Sequence, residues 1–370
     1  MNIYSNSRGL FKRLHSFFSY KARMLQYKNK VKKAINYLDC APLTNSQVSE
    51  VKEYYKSLGF KNINTDWHRY FTHVSGKFYK EYMPEDLFFN VVEPNLNMNK
   101  MLPALTDKNL LEKIFNNVKQ PKTIIKNING FFYDSKTNEI IQFDEVLKIC
   151  NEFSKLIIKP SMDSFGGNNI IVFKLKDNKT DYNELSVGNL IKLYKKDFII
   201  QEFLEQHEQM SLLNQSSVNT IRSTTLLING EVEILRDIVR IGGKDSTVDN
   251  TSKGGIWCVI KPDGILREKG YFDPGEFVLE TDSKVKLEGF EIPNYQKIKK
   301  VIKHLHKQIP YFKIVSWDIA IDREGNAVLI EYNVEGQGMD GQYAYGPLFR
   351  EFTDEILNSC SVNKFSNYIY

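Results

Sequence analysis

Two carboxylates and one amide stand in a stretch that otherwise has the composition of a buried β-hairpin. The sequence SWDIAIDREGNAVLIEYN, residues 316–333, contains Asp318, Glu331 and Asn333 among many apolar residues. Side chains along a strand alternate between its two faces, so Glu331 and Asn333 point the same way. Whether the three oxygen-bearing side chains can act together therefore depends on where Asp318 points.

The turn of this hairpin sets the position of Asp318. The polar cluster at residues 322–326 separates two apolar runs, which predicts a tight turn between two strands. If Glu324 and Gly325 form a two-residue loop, counting back from it places Asp318 opposite Glu331. Cross-strand neighbours share a face of the sheet, so the three side chains are predicted to converge.

Converging oxygens of this kind suit a magnesium ion. Two carboxylates that face each other repel unless a cation lies between them. Mg²⁺ prefers hard oxygen ligands, keeps several waters and usually binds substrate phosphates as well. The glycines that follow, Gly336, Gly338 and Gly341, are typical of backbone that approaches a ligand. The alternative is a solvent-facing strand whose acids pair with lysines.

A second candidate site lies in KLIIKPSMDSFGGNNIIVFK, residues 155–174. A strand is predicted to end at Lys159, followed by a polar loop with Gly166 and Gly167 and then by another strand. The loop is neither a Walker A motif nor a dinucleotide fingerprint. A lysine at a strand end and glycine backbone N–H groups would nevertheless suit phosphate. The alternative is an ordinary hairpin turn.

The segment DFIIQEFLEQHEQM, residues 197–210, follows with a short strand that becomes polar and acidic. A purine needs an apolar slot, backbone groups that read its edge and an acceptor for ribose hydroxyls. This segment could supply all three, and it could also be a linker between domains.

Two arginines are predicted on neighbouring strands beyond this segment. SSVNTIRSTTLLING ends in an Asn229-Gly230 turn, and EVEILRDIVRIGG returns as the partner strand. This arrangement brings Arg222 and Arg240 onto adjacent strands. Two guanidinium groups near a metal would neutralise a triphosphate or an acyl-phosphate, or each could be a structural ion-pair partner.

The elements that must position these residues alternate between helix and strand from about residue 104, as in α/β proteins. Asp107 is a candidate N-cap for a helix at about residues 109–117. The first hundred residues are predicted to be helical instead. One helix is expected at residues 45–58, capped by Asn45 or Ser46.

Composition bounds the class of protein. The chain has 370 residues, 42% of them hydrophobic, enough for two or three domains with cores. A net charge of +5 is mild for this length and does not argue for nucleic acid. The sequence has no apolar run that would span a bilayer, no secretion signal and no paired cysteine motif, so a cytoplasmic location is expected.

Residues 1–33 form a strongly basic segment. They contain nine lysines and arginines and no acid, interleaved with Leu and Phe at roughly helical spacing. A basic amphipathic helix can lie on an anionic membrane, so peripheral contact with the inner face of a membrane is one interpretation. The other is a solvated helix packed against its own domain.

The order of these parts resembles the ATP-grasp superfamily. Within it, the motifs most resemble the sugar-transfer-associated group found in polysaccharide-synthesis loci, over about residues 65–350. The motifs are Asp107-Lys108, KP with its glycine loop, Gln201-Glu202-Phe203, the run SVNTIR at residues 217–222, Val248-Asp249-Asn250 with Gly254-Gly255, and Asp318 followed by Glu331 and Asn333. Any single motif is weak, but the ordered set is fairly specific. A Rossmann-like domain before the ATP-grasp part is missing from the pattern.

The resemblance implies a fold and a division of the chain. It implies an α/β (α+β) ATP-grasp fold in which two α+β subdomains clasp ATP, with a helical N-terminal extension. Residues 1–100 would be the extension, residues 101–202 the small lid subdomain with the helix that leads into it, and residues 203–370 the large subdomain with the metal site.

The resemblance also implies roles at the matching positions, with ATP and Mg²⁺ as cofactors. The phosphate and nucleotide contacts would come from Lys108, Lys159, Ser164, Gly166, Gly167, Gln201, Glu202, Phe203, Leu204, and Glu205 or His207 at the ribose. The metal ligands would be Asp318, Glu331 and Asn333. Arg222, Arg240 and Asn333 would be catalytic, and Asn219, Asn250, Gly254 and Gly255 would shape the acceptor pocket.

The activity implied by the resemblance is that of a carboxylate–amine ligase that works through an acyl-phosphate. Its partners would be a small-molecule or glycan-linked carboxylate, such as a uronic acid, and an amine, with no nucleic acid. Three alternatives are a kinase that stops at phosphoryl transfer, a non-catalytic ATP-binding component of a polysaccharide assembly complex, and a glycosyltransferase. The sequence has cationic groups and a candidate metal site but no evident Ser-His or Cys-His nucleophile pair, which favours phosphoryl chemistry.

Overall fold

The protein is described by a computed structural model. The structure describes residues 3–162, 169–176, 179–244, 246, 249, 254–339 and 341–362, with side chains from residue 19 to residue 361 within these ranges. The chain forms two compact units. The first comprises Met1–Asn99, Tyr311–Ile314 and Val334–Tyr370, and the second comprises Lys100–Pro310 and Val315–Asn333.

Helices and strands are divided unevenly between the two units. In chain order the helices are α1 Ile3–Tyr37, α2 Asn45–Ser57, α3 Asp66–Ser75, α4 Glu85–Leu87, α5 Glu93–Leu96, α6 Leu102–Leu105, α7 Leu111–Ile114, α8 Phe143–Cys150, α9 Val187–Lys192, α10 Glu208–Leu213, α11 Tyr295–Lys307, α12 Gln342–Tyr345 and α13 Thr353–Val362. The strands are β1 Thr123–Ile128, β2 Phe131–Asp134, β3 Ile140–Ile141, β4 Lys155–Pro160, β5 Ile171–Lys176, β6 Lys179–Thr180, β7 Phe198–Glu202, β8 Thr220–Ile228, β9 Glu231–Ile241, β10 Ile256–Ile260, β11 Leu266–Tyr271, β12 Phe277–Val278, β13 Ile314–Ile321 and β14 Ala327–Asn333. A π-helical turn, Phe88–Val92, and short 3₁₀ turns complete the set.

The first unit is helical, as the sequence predicted for residues 1–100. Its core is aromatic: Trp67 and Phe71 of α3 are fully buried, and Tyr343 of α12 packs edge-on against Tyr70. Segments from both ends of the chain therefore build one core. None of the described helices is both long and apolar enough to cross a membrane.

The second unit contains two antiparallel sheets of seven strands each. The first, which we call the lid sheet, has the order β3-β2-β1-β7-β4-β5-β6. One face of it packs against α8 and α9 through apolar residues such as Leu156, Ile158 and Ile200. Alternation along β4 and β7 then turns Ile157, Lys159 and Ile199 to the opposite face.

The second sheet, which we call the large sheet, has the order β12-β11-β10-β9-β8-β13-β14. Helix α11 lies against β8 and β9. Its Tyr295 hydroxyl donates to Asp237 of β9, and His306 shares a hydrogen bond with Thr225 of β8. The β8–β9 hairpin turns at Asn229 and Gly230, both with positive φ, which confirms the predicted turn.

The β13–β14 hairpin confirms the predicted pairing of Asp318 with Glu331 but corrects the turn. The loop has three residues, 323–325, rather than two, because Asp322 donates its backbone N–H to the Asn326 carbonyl at 3.1 Å and Gly325 takes the left-handed conformation at φ 81°. A register shift between Ile319 and Asp318 then makes Ile330 an extra residue on β14. The bulge offsets the longer loop and restores the pairing.

Two predicted helix starts can be compared with the structure. Helix α2 begins as expected, but its N-cap is Thr44, one residue before Asn45, in a capping box with Gln47. Gln47 three residues after a threonine was the signal for it. Asp107 is confirmed as a cap, and its carboxylate accepts the N–H of Asn109 at 2.9 Å. The element that follows is a 3₁₀ turn leading into α7, which ends at Ile114.

Candidate active site

A buried carboxylate and two guanidinium groups form the centre of the candidate site. Arg222 on β8 holds both oxygens of Asp318 on β13, from Nε at 2.8 Å and from Nη2 at 2.6 Å. The Nη1 of Arg240 on β9 lies 3.6 Å from the same carboxylate. Burial alone would raise the pKa of Asp318, but the charge and hydrogen bonds of Arg222 lower it below its ordinary value.

A second acid, Asp249, extends this cluster. It lies 3.4 Å from Nη2 of Arg240 and accepts a hydrogen bond from the Thr220 hydroxyl. Thr220 and Arg240 are cross-strand partners, so both project from one face of the large sheet. The pKa of Asp249 is raised because burial outweighs the attraction of Arg240. Sequence reasoning quoted Asp249 within a motif but did not select it, although it is the only acid in VDN.

Glu331 and Asn333 of β14 lie on the same side as Asp318. The Asn333 amide nitrogen lies 3.4 Å from an Asp318 oxygen. Glu331 faces Lys108, whose Nζ is 3.3 Å from its Oε2. Lys108 belongs to the 3₁₀ turn that precedes β1, so a cation from the lid side of the second unit meets the carboxylates of the hairpin. The structure thus brings together six of the predicted residues: Lys108, Arg222, Arg240, Asp318, Glu331 and Asn333.

Lys159 is a buried cation near this cluster. The residue is 5% exposed, and within the described ranges no carboxylate lies at ion-pair distance from its Nζ. Its pKa falls from 10.5 to about 8, chiefly because of burial and also because of the charge of Lys108, while Glu331 partly opposes both effects. A buried ammonium group without a counter-ion is costly, so this position is prepared for an anion.

The residues predicted to contact the nucleotide begin at the end of β7. Gln201 is buried, and its amide nitrogen donates to the Pro121 carbonyl and to Thr123, each at 3.2 Å. The Glu202 side chain pairs with Lys122 at 3.5 Å. The Phe203 ring lies under the ammonium group of Lys155, which is 3.3 Å from the ring centroid. These contacts support the strand end from both neighbouring strands.

Leu204 and the two residues predicted at the ribose, Glu205 and His207, have other surroundings. Leu204 is half-buried. Glu205 is exposed and pairs with Arg323 at 2.8 Å. His207 caps α10, where its Nδ1 accepts the N–H of Gln209 at 3.2 Å. In the structure, therefore, the two residues proposed for the ribose already serve local contacts.

The comparisons with known proteins can now be set beside this geometry. The model of a family described as "sugar-transfer associated ATP-grasp" matches residues 90–357. The chain belongs to this family. A search among curated proteins found no match. The ATP-grasp fold and the resemblance stated from the sequence are both confirmed.

Several solved structures are similar to this ATP-grasp chain, all at a distance. The biotin carboxylase domain of 2-oxoglutarate carboxylase from Hydrogenobacter thermophilus is 12% identical with a TM-score of 0.41, and the match covers 72% of this chain and 48% of that one. D-alanine–D-alanine ligase from Bacillus anthracis is 16% identical with a TM-score of 0.37, at 70% and 67% coverage. L-amino acid ligase from Bacillus licheniformis is 12% identical with a TM-score of 0.36, at 86% and 56% coverage.

These likenesses carry no information on the substrate. The chain matches between about half and two thirds of the length of these solved structures. What the site does is therefore argued from its own residues.

The ATP-grasp family implies ATP and Mg²⁺, and the donor set can be tested for fit. Asp318, Glu331 and Asn333 offer only hard oxygen donors, as Mg²⁺ prefers. Among the described residues, no group of three His, Cys, Asp or Glu side chains could hold a metal by itself. The residues therefore fit an ion that takes one or two carboxylates and completes its shell with phosphate oxygens and water.

Of the predicted acceptor-pocket residues, Asn219 is engaged in local backbone contacts. Asn219 is fully buried, and its amide nitrogen donates to the carbonyls of Met210 and Asn214 at 2.8 and 2.9 Å. It holds the connection between α10 and β8, a structural position rather than a pocket wall. Gly254 and Gly255 lead into β10, next to the strand that carries Arg240. Four selected residues lie outside the described residues: Ser164, Gly166, Gly167 and Asn250.

Two further cations lie on the sheet faces that carry Lys159 and Arg222, and the sequence analysis did not select them. Lys126 on β1 is 5% exposed and pairs with Glu112 at 3.2 Å. Ile199 of β7 pairs with both Lys126 and Lys159, so all three share the open face of the lid sheet. Arg236 of β9 is buried on the Arg222 face and donates to Thr224 at 3.0 Å. The single charge in the apolar strand TIIKNI was the available signal for Lys126.

Proposed function

We propose that this protein is an ATP-dependent carboxylate–amine ligase that forms an amide through an acyl-phosphate. Mg²⁺ and ATP would be its cofactors. Its carboxylate would be a uronic acid or amino acid, either free or glycan-linked, used in capsule or O-antigen polysaccharide biosynthesis. The reaction would take place in the cytoplasm, at or near the inner face of the membrane.

The observation that carries this proposal is the burial of the Lys159 ammonium group. Its ammonium group is sequestered from water, and no carboxylate in the described ranges balances it. Phosphate oxygens would supply the missing negative charge and restore the ordinary protonation of the lysine. Lys108 lies close enough to influence the pKa of Lys159, so two cations would act on one polyphosphate.

The remaining residues divide the chemistry between them. Asp318, Glu331 and Asn333 would hold Mg²⁺, which when bound would neutralise charge on the phosphates. Arg222 and Arg240 would stabilise the charge that develops on the transferred phosphoryl group. Arg222 is the better oriented of the two, because its bidentate contact with Asp318 holds the guanidinium plane in place.

The proposed reaction balances in two steps. A carboxylate oxygen of the acceptor attacks the γ-phosphorus of ATP, the bond to the β–γ bridging oxygen breaks, and ADP leaves. The amine nitrogen then attacks the carbonyl carbon of the acyl-phosphate, the carbon–oxygen bond to phosphate breaks, and the amine loses a proton. The protein supplies position and charge neutralisation in both steps.

A coupled ADP-release assay over a matrix of uronic acids and amines tests the proposal. Release that requires both a carboxylate and an amine is expected. Release with a hydroxyl acceptor alone would identify a kinase instead. Glu331→Ala should abolish the release, whereas Lys148→Met, an exposed change on α8, should leave it intact.

A further inference from the structure

A groove in the helical first unit carries charges that the ATP-grasp site does not use. It has a volume of about 650 Å³ and lies between α1, α2, the loop at residues 61–64 and α4. Three lysines line it from three different elements: Lys28, Lys52 and Lys61. In the described part of the chain, none of their ammonium groups has a carboxylate at ion-pair distance.

The rest of the lining combines apolar and polar groups. Met24, Leu25 and Ile63 are apolar, and Leu25 is 58% exposed. The amide nitrogen of Asn64 is buried and has no hydrogen-bond partner among the described residues. Asp86 is the one acid, and its carboxylate accepts the N–H of Leu87 at 3.1 Å. The lining therefore has a net positive charge together with an unused hydrogen-bond donor.

We propose that this groove binds the phosphate headgroup of an anionic lipid and docks the protein on an acidic membrane surface. The ammonium groups of the three lysines and the Asn64 amide are donors that suit a phosphate group. An exposed leucine beside them suits the acyl boundary of a bilayer, whereas a site for a small soluble anion would gain nothing from it.

The charge of the neighbouring segment favours binding to a membrane surface rather than to a single small ligand. Residues 1–33, which include the α1 contribution to the groove, carry nine cations and no acid. Lysines and arginines near an anionic leaflet are attracted to its surface. The proposal goes beyond the ATP-dependent activity, since it concerns where the protein acts and involves none of the catalytic residues.

Vesicle flotation of the full chain tests the proposal. Binding is expected to vesicles of equal parts phosphatidylcholine and phosphatidylglycerol but not to phosphatidylcholine alone, and it should weaken as salt rises. Lys52→Glu with Lys61→Glu should weaken it about tenfold or more. The matched pair Lys77→Glu with Lys313→Glu changes the same charge on exposed residues of the same unit outside the groove, and should weaken it far less.

Other outcomes would overturn the proposal. It fails if both pairs weaken binding equally, because net charge alone would then explain the effect. Thermal stabilisation by inorganic phosphate that is lost in Lys52→Glu with Lys61→Glu, without vesicle binding, would indicate a soluble anion instead. Leu25→Asn should reduce vesicle binding, and an unchanged affinity would exclude the apolar contact. Thermal stabilisation by ATP should be the same in all these variants, which separates this result from the fate of the proposed function.

Discussion

Lys159 shows how a single side chain can indicate a ligand. An amphipathic lysine normally keeps its charged end in water. Here the residue is 5% exposed at the end of β4, and its pKa falls to about 8 because burial disfavours the charged form. The folded state bears that cost at neutral pH, and the cost disappears as the pH rises through 8 towards 10.5. A site that buries an ammonium group at such a cost is organised to bind an anion.

Replacing this lysine should separate stability from ligand binding. Lys159→Met should raise the free energy of unfolding at pH 7 by about 1–3 kcal/mol, because the buried charge is removed while volume is kept. The same variant should lose the thermal stabilisation that ATP with Mg²⁺ gives the native protein. Lys148→Met is the control and should change neither quantity. Loss of stability in Lys159→Met would contradict the interpretation, since it would make the lysine a structural residue.

ATP binding should also take up a proton. Phosphate oxygens next to Lys159 should raise its pKa from about 8 towards its ordinary value, so the complex holds a proton that part of the free protein has lost. Calorimetric titration at pH 8 in two buffers of different ionisation enthalpy measures this uptake directly. It should approach zero at pH 6 and in Lys159→Met. Equal binding heats in both buffers at pH 8 would exclude the linkage.

At the scale of elements, the β13–β14 hairpin shows two local features that compensate each other. A two-residue loop with a regular ladder and a three-residue loop with a bulge at Ile330 both pair Asp318 with Glu331. Apolar alternation predicted the faces correctly because one face must be buried. The loop length could not be read from the sequence because Asp322, which accepts the N–H of Asn326 at 2.7 Å, closes the longer turn through its side chain.

Gly325 makes this turn testable. Its φ is 81°, and a Cβ there would lie 2.2 Å from the Asn294 amide nitrogen. Gly325→Ala should therefore cost both the left-handed conformation, about 1 kcal/mol, and the displacement of Asn294. Gly289→Ala has a similar φ of 84° with open space around it, so it isolates the backbone term. Urea unfolding should show a clearly larger loss of unfolding free energy for Gly325→Ala. Equal losses would mean that the Asn294 side chain moves aside without an energetic cost.

Helix α5 holds the chain where it leaves this hairpin. Glu93 is 4% exposed and accepts the N–H groups of Gly336 and Gln337 at 3.1 and 3.3 Å. Asn97 donates to the carbonyls of Ile314 and Val334 at 2.8 and 2.6 Å. The first residues after Asn333 are therefore positioned by the N-terminal helical region, which gives that region a role that its sequence did not reveal.

The pKa of Glu93 should be visible in the pH dependence of stability. Burial raises it from 4.5 to about 8, so between these values the unfolded chain loses a proton that the native state keeps. Stability conferred at low pH should therefore be lost progressively from about pH 5 to pH 8, at up to about 1.4 kcal/mol per pH unit. Urea unfolding across this range should show that Glu93→Gln removes the trend. The exposed control Glu355→Gln should keep it, and a trend that persists in Glu93→Gln would assign it to other groups.

At the scale of the whole molecule, the first unit is assembled from three separate stretches of chain. Residues 311–314 and 334–370 belong with the N-terminal helices, although the sequence prediction placed them in the large subdomain. The contacts of Glu93 and Asn97, and the packing of Tyr343 against Tyr70, join these stretches. The division of the second unit into lid and large subdomains at residue 202 stays a prediction.

This assembly predicts the effect of a truncation. A chain that begins at residue 100 lacks the predicted helical extension. It should fail to fold cooperatively, because residues 334–362 would expose the apolar side chains that α1–α5 cover. Soluble yield and the sharpness of the thermal transition measure this. The full chain with Asn97→Ala is a milder comparison and should fold with lower stability. A cooperatively folding chain from residue 100 would show that the C-terminal stretch needs no partner.

The sequence by itself determined the family, the alternation of elements and the pairing of Asp318 with Glu331. It also identified Lys108 and Lys159 as candidate phosphate contacts. These properties depend on local spacing, because turns, caps and the period of two act over a few residues. Only the tertiary structure decided that Arg222 binds Asp318, 96 residues away, that Asn219 is structural, and that no carboxylate of the described residues lies at ion-pair distance from Lys159. Such facts depend on which distant strands become neighbours and how much water they exclude, and no short pattern in the chain records either.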